Sequence, residues 1–230
     1  MNSRTSAPDA LVATRRSLHA VAEMLLAGHQ HRVAGTIRLA VQPGGFRTLP
    51  LPGQPSLLAV RATDLVVTTN AREVVIAISG RLDVLAKAAG LEVGTLASVY
   101  SGGSGAMGSD VVNVDPAAAT TLEHAFELGD AAMRLFGSRH VQDDPPVPVL
   151  WPEHFDVGIV LDEVNYGVSP GDDEIPEPYA YVGPHAPRHG PFWDRSFGAA
   201  RVVSSLGEAD AIVEFFEAGR AAAAVDQRVS

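Results

Sequence analysis

One stretch in the second half of the chain decides the fold, because its residues alternate with the period of a β-strand. Residues 154–161 read HFDVGIVL. A period of two places four apolar side chains on one face of the predicted strand: Phe155, Val157, Ile159 and Leu161. The other face would carry His154, Asp156, Gly158 and Val160. The stretch therefore predicts a strand with an apolar core face and with a histidine and a carboxylate side by side on its other face.

Further apolar runs predict strands on both sides of this stretch. Ile37–Val41 alternates in hydrophobicity and is followed by the turn residues Pro43–Gly45, so we expect a hairpin there. A connection rich in proline and glycine follows at residues 50–55. The other predicted strands are residues 57–69, residues 73–79, the segment that contains Tyr179 and Tyr181, and residues 199–204.

Four segments have the spacing of amphipathic helices. The first follows a predicted cap at Asp9 and is expected to end at Gly28. The best-marked helix follows Asp115 and runs to Gly137, because an aspartate cap directly before a proline is a strong start signal. The other two are predicted at residues 80–90 and after Ser205 and Glu208, whose spacing fits a capping box.

Together these elements predict an α+β fold with mostly antiparallel sheets flanked by helices. We expect a single globular domain over residues 10–225, preceded by a disordered tail at residues 1–9. Residues 10–90 and 115–225 share the order helix, about four strands, helix, so we interpret them as similar halves that arose by duplication. The glycine-rich residues 100–109 are predicted to join the halves as a flexible linker or a lid.

The composition excludes several partners and chemistries. The chain of 230 residues has a formal net charge of -10, whereas phosphate binding needs clustered lysine and arginine, so we expect neither nucleic acid nor an anionic membrane as a partner. The absence of cysteine excludes disulfides, thiolate nucleophiles and zinc–cysteine sites. No run approaches the ~18 apolar residues of a membrane span, so we expect a soluble, cytoplasmic protein.

His154 and Asp156 are the first candidate site residues. A histidine and a carboxylate two residues apart on one strand face can act as a base and its orienting group, or can ligate a divalent metal. The alternative is a hydrogen-bonded pair that holds the end of the strand in place. The sequence leaves both interpretations open.

Two further carboxylates complete the candidate catalytic set. Asp172 follows Gly171 in a turn and starts a run of acids, which suits either a hard-cation site or a solvated, Asx-capped turn. Glu177 lies between Pro176 and Pro178, and the prolines would fix the direction in which it points. No set of metal ligands is complete, so the cofactor and the metal stay unknown.

Aromatic and histidine side chains nearby are candidate ligand contacts. Tyr179 and Tyr181 share a strand face, where they can wall a pocket or simply cover the edge of the core. His185 and His189 lie in a proline-rich loop that leads to Trp193, and loops of this length are often functional. The spacing of the two histidines fits a helical metal pair, but the prolines oppose a helix there.

Three blocks in this region resemble a bacterial family of unknown function that is frequent in actinobacteria. The blocks are Trp151–Asp156, Asn165–Asp172 and Ile175–Tyr181, and they contain the motifs W-P-x-H-F-D, S-P-G-D and P-E-P-Y. A looser similarity at Leu18–His19 and Gly35–Ala40 extends the match towards the N-terminus. The resemblance implies one fold unit over most of the chain and marks the blocks as the site region, but it implies no reaction.

Two functions follow as hypotheses. The first is a small-molecule site in the C-terminal half, enzymatic or not, with its acid and base groups supplied by His154, Asp156, Asp172 and Glu177. The side chains that would line this site are Tyr166, Tyr179, Tyr181, His185 and Trp193. The alternative is a non-catalytic module that presents the same acidic, aromatic surface to a protein partner. The oligomeric state does not follow from the sequence.

Overall fold

The computed structural model describes residues 6–50 and 56–225, and the chain forms two compact units. Unit 1 comprises Met1–His124 and Leu150–Phe155, and unit 2 comprises Ala125–Val149 and Asp156–Ser230. Both units combine helices with antiparallel strands, which confirms the predicted α+β class. Most of the predicted proline-rich connection lies outside the described residues.

Unit 1 starts with a long helical run in three parts. These are α1 (Ala7–Ala20), a π-helical segment (Val21–Ala27) and α2 (Gly28–Ala34). The hydroxyl of Ser6 caps the run by accepting the backbone N–H of Asp9 at 3.3 Å. The helix therefore begins before the predicted cap, and the described part of the predicted tail is ordered; residues 1–5 lie outside the described part.

The predicted helix end at Gly28 is wrong, because that glycine lies within the helical run and packs against Gly94. A Cβ atom at Gly28 would lie 3.0 Å from Cα of Gly94, so only glycine permits this close approach of two backbones. The helical run ends at Gly35, which has the left-handed φ of 70° that is common after the last helical residue.

Five strands follow as an antiparallel meander: β1 (Leu39–Gln42), β2 (Gly45–Thr48), β3 (Ser56–Arg61), β4 (Asp64–Thr69) and β5 (Arg72–Ala77). The pairing of β1 with β2 confirms the predicted hairpin. The single strand predicted at residues 57–69 is wrong, because the chain reverses between β3 and β4. Ala62 has a left-handed φ of 51° at this turn, and alanine gives no turn signal in the sequence.

Short elements complete unit 1. β6 (Ser79–Arg81) leads into α3 (Leu82–Ala88) and pairs with β7 (Val111–Asn113). β8 (Val149–Trp151) pairs with the free side of β1 through Leu150 and Leu39. The strand order in unit 1 is thus β8-β1-β2-β3-β4-β5, with β5 at the edge.

The helix α4 (Pro116–Arg139) starts as predicted, because Oδ1 of Asp115 accepts the backbone N–H of Ala118 at 2.9 Å. The remaining elements are β9 (Asp156–Leu161), β10 (Val164–Ser169), β11 (Tyr179–Pro184), β12 (Ala199–Val202), α5 (Val203–Leu206) and α6 (Ala209–Val225). Strands β9 to β12 form an antiparallel meander. The predicted capping box is wrong, since Ser205 lies within α5 and its hydroxyl donates to the carbonyl of Val202 at 2.8 Å.

Helices cover one face of the unit 2 sheet. A Cβ atom at Gly129 of α4 would lie 2.8 Å from Val168, and one at Gly219 of α6 would lie 2.8 Å from Val182. Both helices therefore pack closely on this face of the sheet, which we call the helix face. Strand register places a different set of residues on the opposite face: Asp156, Gly158, Gly167, Tyr179 and Tyr181.

The glycine-rich residues 100–109 do not join the two compact units, because both ends of the segment belong to unit 1. The backbone N–H of Ser104 donates to the carboxylate of Glu23 at 2.7 Å, so the segment is docked on the helical run and is not a free linker. Residues 10–90 and 115–225 both follow the order helix, strands, helix. Their origin by duplication stays a prediction.

Candidate functional site

A tyrosine lies across two glycines on the opposite face of the unit 2 sheet. Gly158 of β9, Gly167 of β10 and Tyr181 of β11 are direct neighbours in register. A Cβ atom at Gly167 would lie 2.6 Å from Cζ and Oη of Tyr181, so the ring occupies space that only glycine leaves free. The Tyr181 hydroxyl thereby reaches the first residue of β9, where it donates a hydrogen bond to Oδ2 of the buried Asp156.

A second pair of tyrosine and carboxylate lies two residues away on the same face. The Tyr179 hydroxyl donates to Oδ2 of Asp172 at 2.6 Å. The other oxygen, Oδ1, accepts the backbone N–H groups of Glu174 and Ile175 at 2.7 Å each. Asp172 therefore closes an Asx turn, as the structural alternative predicted, and the turn orients its second oxygen towards Tyr179.

These residues form one group, which we call the Tyr–Asp cluster: Asp156, Asp172, Tyr179 and Tyr181. The two tyrosine rings meet edge to face with centroids 6.3 Å apart, and Phe197 stacks on Tyr179 at 6.2 Å. Tyr179 is buried together with Ile175 and Ala200, whereas Tyr181 and Phe197 are only partly buried. The exposed part of the cluster is thus supplied by Tyr181 and the adjoining Phe197, and each tyrosine hydroxyl is bonded to a carboxylate.

Burial raises the pKa of both tyrosines in the cluster. For Tyr181 the charge of Asp156 adds to the effect of burial, and for Tyr179 the hydrogen bond to Asp172 does so. Both phenols therefore stay protonated at neutral pH and donate to their carboxylates. The Tyr179 oxygen also bonds the Ser169 hydroxyl, whereas the Tyr181 oxygen can still accept a hydrogen bond, so the cluster is better suited to holding a ligand than to removing a proton.

Two of the predicted catalytic residues do not join the cluster. His154 lies in the turn between β8 and β9, and its side chain is 73% exposed. Because Phe155 takes a left-handed φ of 54°, β9 starts only at Asp156, and the predicted strand face shared by His154 and Asp156 is wrong. Glu177 is exposed and accepts the hydroxyl of Ser204 at 3.0 Å.

Tyr166 lies on the helix face, away from the other predicted ligand contacts. It is fully buried, and its ring packs 4.8 Å from Phe136 of α4 and 5.6 Å from Phe216 of α6. Its hydroxyl has no hydrogen-bond partner in the described part of the chain. Tyr166 is therefore a core residue of unit 2, and its predicted place beside Tyr179 and Tyr181 is wrong.

His185 and Trp193 belong to the loop between β11 and β12. The backbone N–H of His185 donates to the carbonyl of Glu163 at 2.9 Å, while the side chain is exposed. Phe192 contacts Trp193 edge to face at 4.9 Å and stacks on Phe215 of α6 at 5.5 Å. These aromatic contacts anchor the loop, as predicted for Trp193, and no contact joins the loop histidine to the Tyr–Asp cluster among the described residues.

Arg188 lies between the two anchored ends of this loop. Its Nε and Nη1 atoms are buried and have no hydrogen-bond partner among the described residues. Arg188 is partly buried, and two guanidinium nitrogens screened from water without a hydrogen-bond acceptor among the described residues are an unfavourable arrangement.

A buried acid in unit 1 was missed by sequence reasoning. Glu23 lies in the π-helical segment and is 8% exposed. Its Oε1 accepts the Tyr100 hydroxyl at 3.0 Å, while Oε2 accepts the N–H of Ser104. Any side chain at Gly103 would clash with this carboxylate. The sequence did contain a signal for a buried acid, because Glu23 is the only charged residue in the apolar run Val21–Ala27.

His19 lies one turn before Glu23 and was also missed as a partly buried titratable group. Its ring stacks on Phe155 with centroids 5.3 Å apart, and Nε2 lies 2.8 Å from the carbonyl oxygen of Pro152. Burial lowers the pKa of His19, although the carbonyl contact and the charge of Glu23 oppose this shift. The imidazole is therefore held neutral as part of the packing of unit 1.

No family model, curated protein or solved structure matches the chain, so the resemblance to the actinobacterial family stays a prediction. Within residues 6–50 and 56–225, no group of three or more histidine or carboxylate side chains is placed to hold a metal ion. Every helix in the same residues is too short or too polar to cross a bilayer.

Proposed function

We propose that unit 2 binds a small organic amine at the Tyr–Asp cluster. The observation that carries the proposal is the side-by-side arrangement of two tyrosines, each donating its hydroxyl proton to a separate carboxylate. Because the Tyr181 hydroxyl hydrogen points at Asp156, the Tyr181 oxygen offers its lone pairs to a ligand that donates hydrogen bonds. An ammonium group has such donors and a positive charge.

The surroundings of the cluster support a cationic ligand. The partly exposed rings of Tyr181 and Phe197 can attract a cation through their quadrupole. Asp156 and Asp172 add negative charge at the hydroxyl ends of the tyrosine rings. The net charge of -10 also raises the local concentration of cations near the surface.

The same contacts support binding over catalysis. The raised pKa of Tyr179 and Tyr181 opposes a role as general base at neutral pH. Asp172 already accepts two backbone N–H groups and one hydroxyl. The histidine predicted as the base, His154, belongs to an exposed turn. We therefore favour a binding protein, and the protein-interaction module gains support if amines do not bind.

Three probes that share a phenyl ring test the proposal: the cation benzylamine, the neutral benzyl alcohol and the anion benzoate. Benzylamine should raise the melting temperature of the protein, because a ligand that binds only the native state stabilises it, whereas the other two should not. Tyr181→Phe should abolish the rise. Tyr166→Phe also removes a tyrosine hydroxyl, but on the helix face, and this variant should keep the rise in melting temperature. An equal response to benzyl alcohol, or a full response in Tyr181→Phe, would contradict the proposal.

A further inference from the structure

The exposed apolar side chains of β5 lie at the edge of the unit 1 sheet. Val74 and Val75 retain 47% and 59% of their accessible surface. They project from opposite faces of the strand, because side chains alternate along it. In the described part of the chain, no strand pairs with the outer edge of β5. Such an apolar, unpaired edge is a template for another strand, and monomeric proteins usually protect against it.

The hairpin before β5 determines which backbone groups point out of the sheet. β4 and β5 are joined by Asn70 and Ala71, whose left-handed φ values of 50° and 62° fit a two-residue hairpin turn. At the other end, the N–H of Ile78 donates to the carbonyl of Thr63 at 2.9 Å. Residues bonded to the neighbouring strand alternate with residues whose N–H and C=O point away. The outward-pointing residues are therefore Glu73, Val75 and Ala77.

We propose that β5 pairs antiparallel with β5 of a second copy of this chain, about a two-fold axis at Val75. In this register the outward-pointing residues meet, with Val75 opposite its own copy and Glu73 opposite Ala77. Val74 then lies opposite Ile76, so the exposed apolar side chains cover one another on both faces. An axis at Glu73 would instead place two carboxylates directly opposite each other, which is destabilising.

The charges along β5 favour a copy of the same strand over a charged partner. Glu73 already accepts the guanidinium of Arg61 at 2.5 Å and the hydroxyl of Thr68 at 3.4 Å within its own sheet. The positions from Val74 to Ala77 are all apolar. An antiparallel copy therefore pairs the apolar residues Val74, Val75 and Ile76 with one another, and Glu73 with its ion pair lies at the flank opposite Ala77.

The absence of cysteine makes a cross-linking test direct. Residues in a hydrogen-bonded antiparallel pair have Cα atoms about 5.5 Å apart, which lies inside the range of about 4.4–6.8 Å found for disulfides. Val75→Cys should therefore give a disulfide-linked dimer on oxidation with copper–phenanthroline. Val84→Cys introduces a thiol at a valine of α3 that is 61% exposed, and it should stay monomeric on a non-reducing gel.

Analytical ultracentrifugation of the wild-type protein and of lysine variants, none of which contains cysteine, measures the dimer without a cross-link. The wild-type protein should show a concentration-dependent dimer, and Val75→Lys should weaken it by about tenfold or more, because two ammonium groups would meet at the axis. Val84→Lys should leave the dimer unchanged, and circular dichroism confirms that each variant is folded. A wild-type protein that stays monomeric at every concentration, or cross-linking that is no faster at position 75 than at position 84, would overturn the proposal.

Discussion

Replacing Gly167 with alanine perturbs the packing that brings Tyr181 to Asp156. The new methyl group would lie 2.6 Å from Cζ of Tyr181 and 2.6 Å from the carbonyl oxygen of Val157. The carbonyl belongs to the backbone of the neighbouring strand and cannot move alone, so the tyrosine ring has to shift. That shift breaks the hydrogen bond between the Tyr181 hydroxyl and Asp156.

Three terms set the expected change in the free energy of unfolding. Overpacking a buried position costs about 1–3 kcal/mol, and losing a hydrogen bond to a carboxylate costs about 1.5–3 kcal/mol. Alanine is favoured over glycine inside a strand by about 0.5–1 kcal/mol, which offsets part of the loss. We expect Gly167→Ala to lower the free energy of unfolding of unit 2 by about 2–5 kcal/mol.

Gly158→Ala is the matched control, because Gly158 pairs directly with Gly167 on the same face. Its methyl group would lie 3.2 Å from the Tyr181 hydroxyl, which can move slightly, so we expect a change within about 1 kcal/mol. Urea denaturation followed by Trp193 fluorescence in a Trp151→Phe background reports on unit 2, since the two tryptophans lie in different units. Equal stability of the two alanine variants would refute the packing argument.

Three further predictions use single measurements. Arg188→Met should raise the free energy of unfolding by about 1 kcal/mol, because methionine removes two buried nitrogen atoms that have no hydrogen-bond partner among the described residues; a clear loss in the same urea assay would contradict this. Since the pKa of His19 is lowered by burial, the unfolded state takes up a proton first as the pH falls below about 6.5, so wild-type stability should fall from about pH 7.5 to about pH 5 and fall less in His19→Phe. An equal fall in both proteins would show that His19 is not the cause. The chain has four tyrosines and burial raises the pKa of each, so the midpoint of the phenolate absorbance should lie well above pH 10. A midpoint at the ordinary value of about 10 would contradict their burial.

Local signals made parts of the fold predictable from the sequence. The aspartate before Pro116 caps α4 through a contact three residues away, and the glycines after Pro43 turn the first hairpin within its own segment. The errors arise where distant packing decides. Glycine commonly ends helices, but Gly28 lies inside the helical run, where it allows the backbone at Gly94 to approach closely. The sequence around Gly28 could not show this, because Gly94 is far along the chain.

The candidate site shows the same limit. The aspartates and tyrosines of the cluster stood out by type and spacing, but the pairing of Tyr181 with Asp156 depends on the register of three strands and on two glycines. A two-residue error at the start of β9 was enough to place His154 wrongly on its face. Glu23 could have been found, because an acid within an apolar helical run has to acquire buried partners.

The proposed amine site is tested most directly by NMR of the tyrosine rings, because the four tyrosines fall into two groups. Tyr179 and Tyr181 belong to the Tyr–Asp cluster, whereas Tyr100 bonds Glu23 in unit 1 and Tyr166 lies in the helix core of unit 2. With labelled rings assigned through single Tyr→Phe variants, benzylamine should shift the signals of Tyr179 and Tyr181 and leave those of Tyr100 and Tyr166 unchanged. Unchanged signals for the cluster tyrosines, or equal shifts at all four rings, would contradict a site at the cluster.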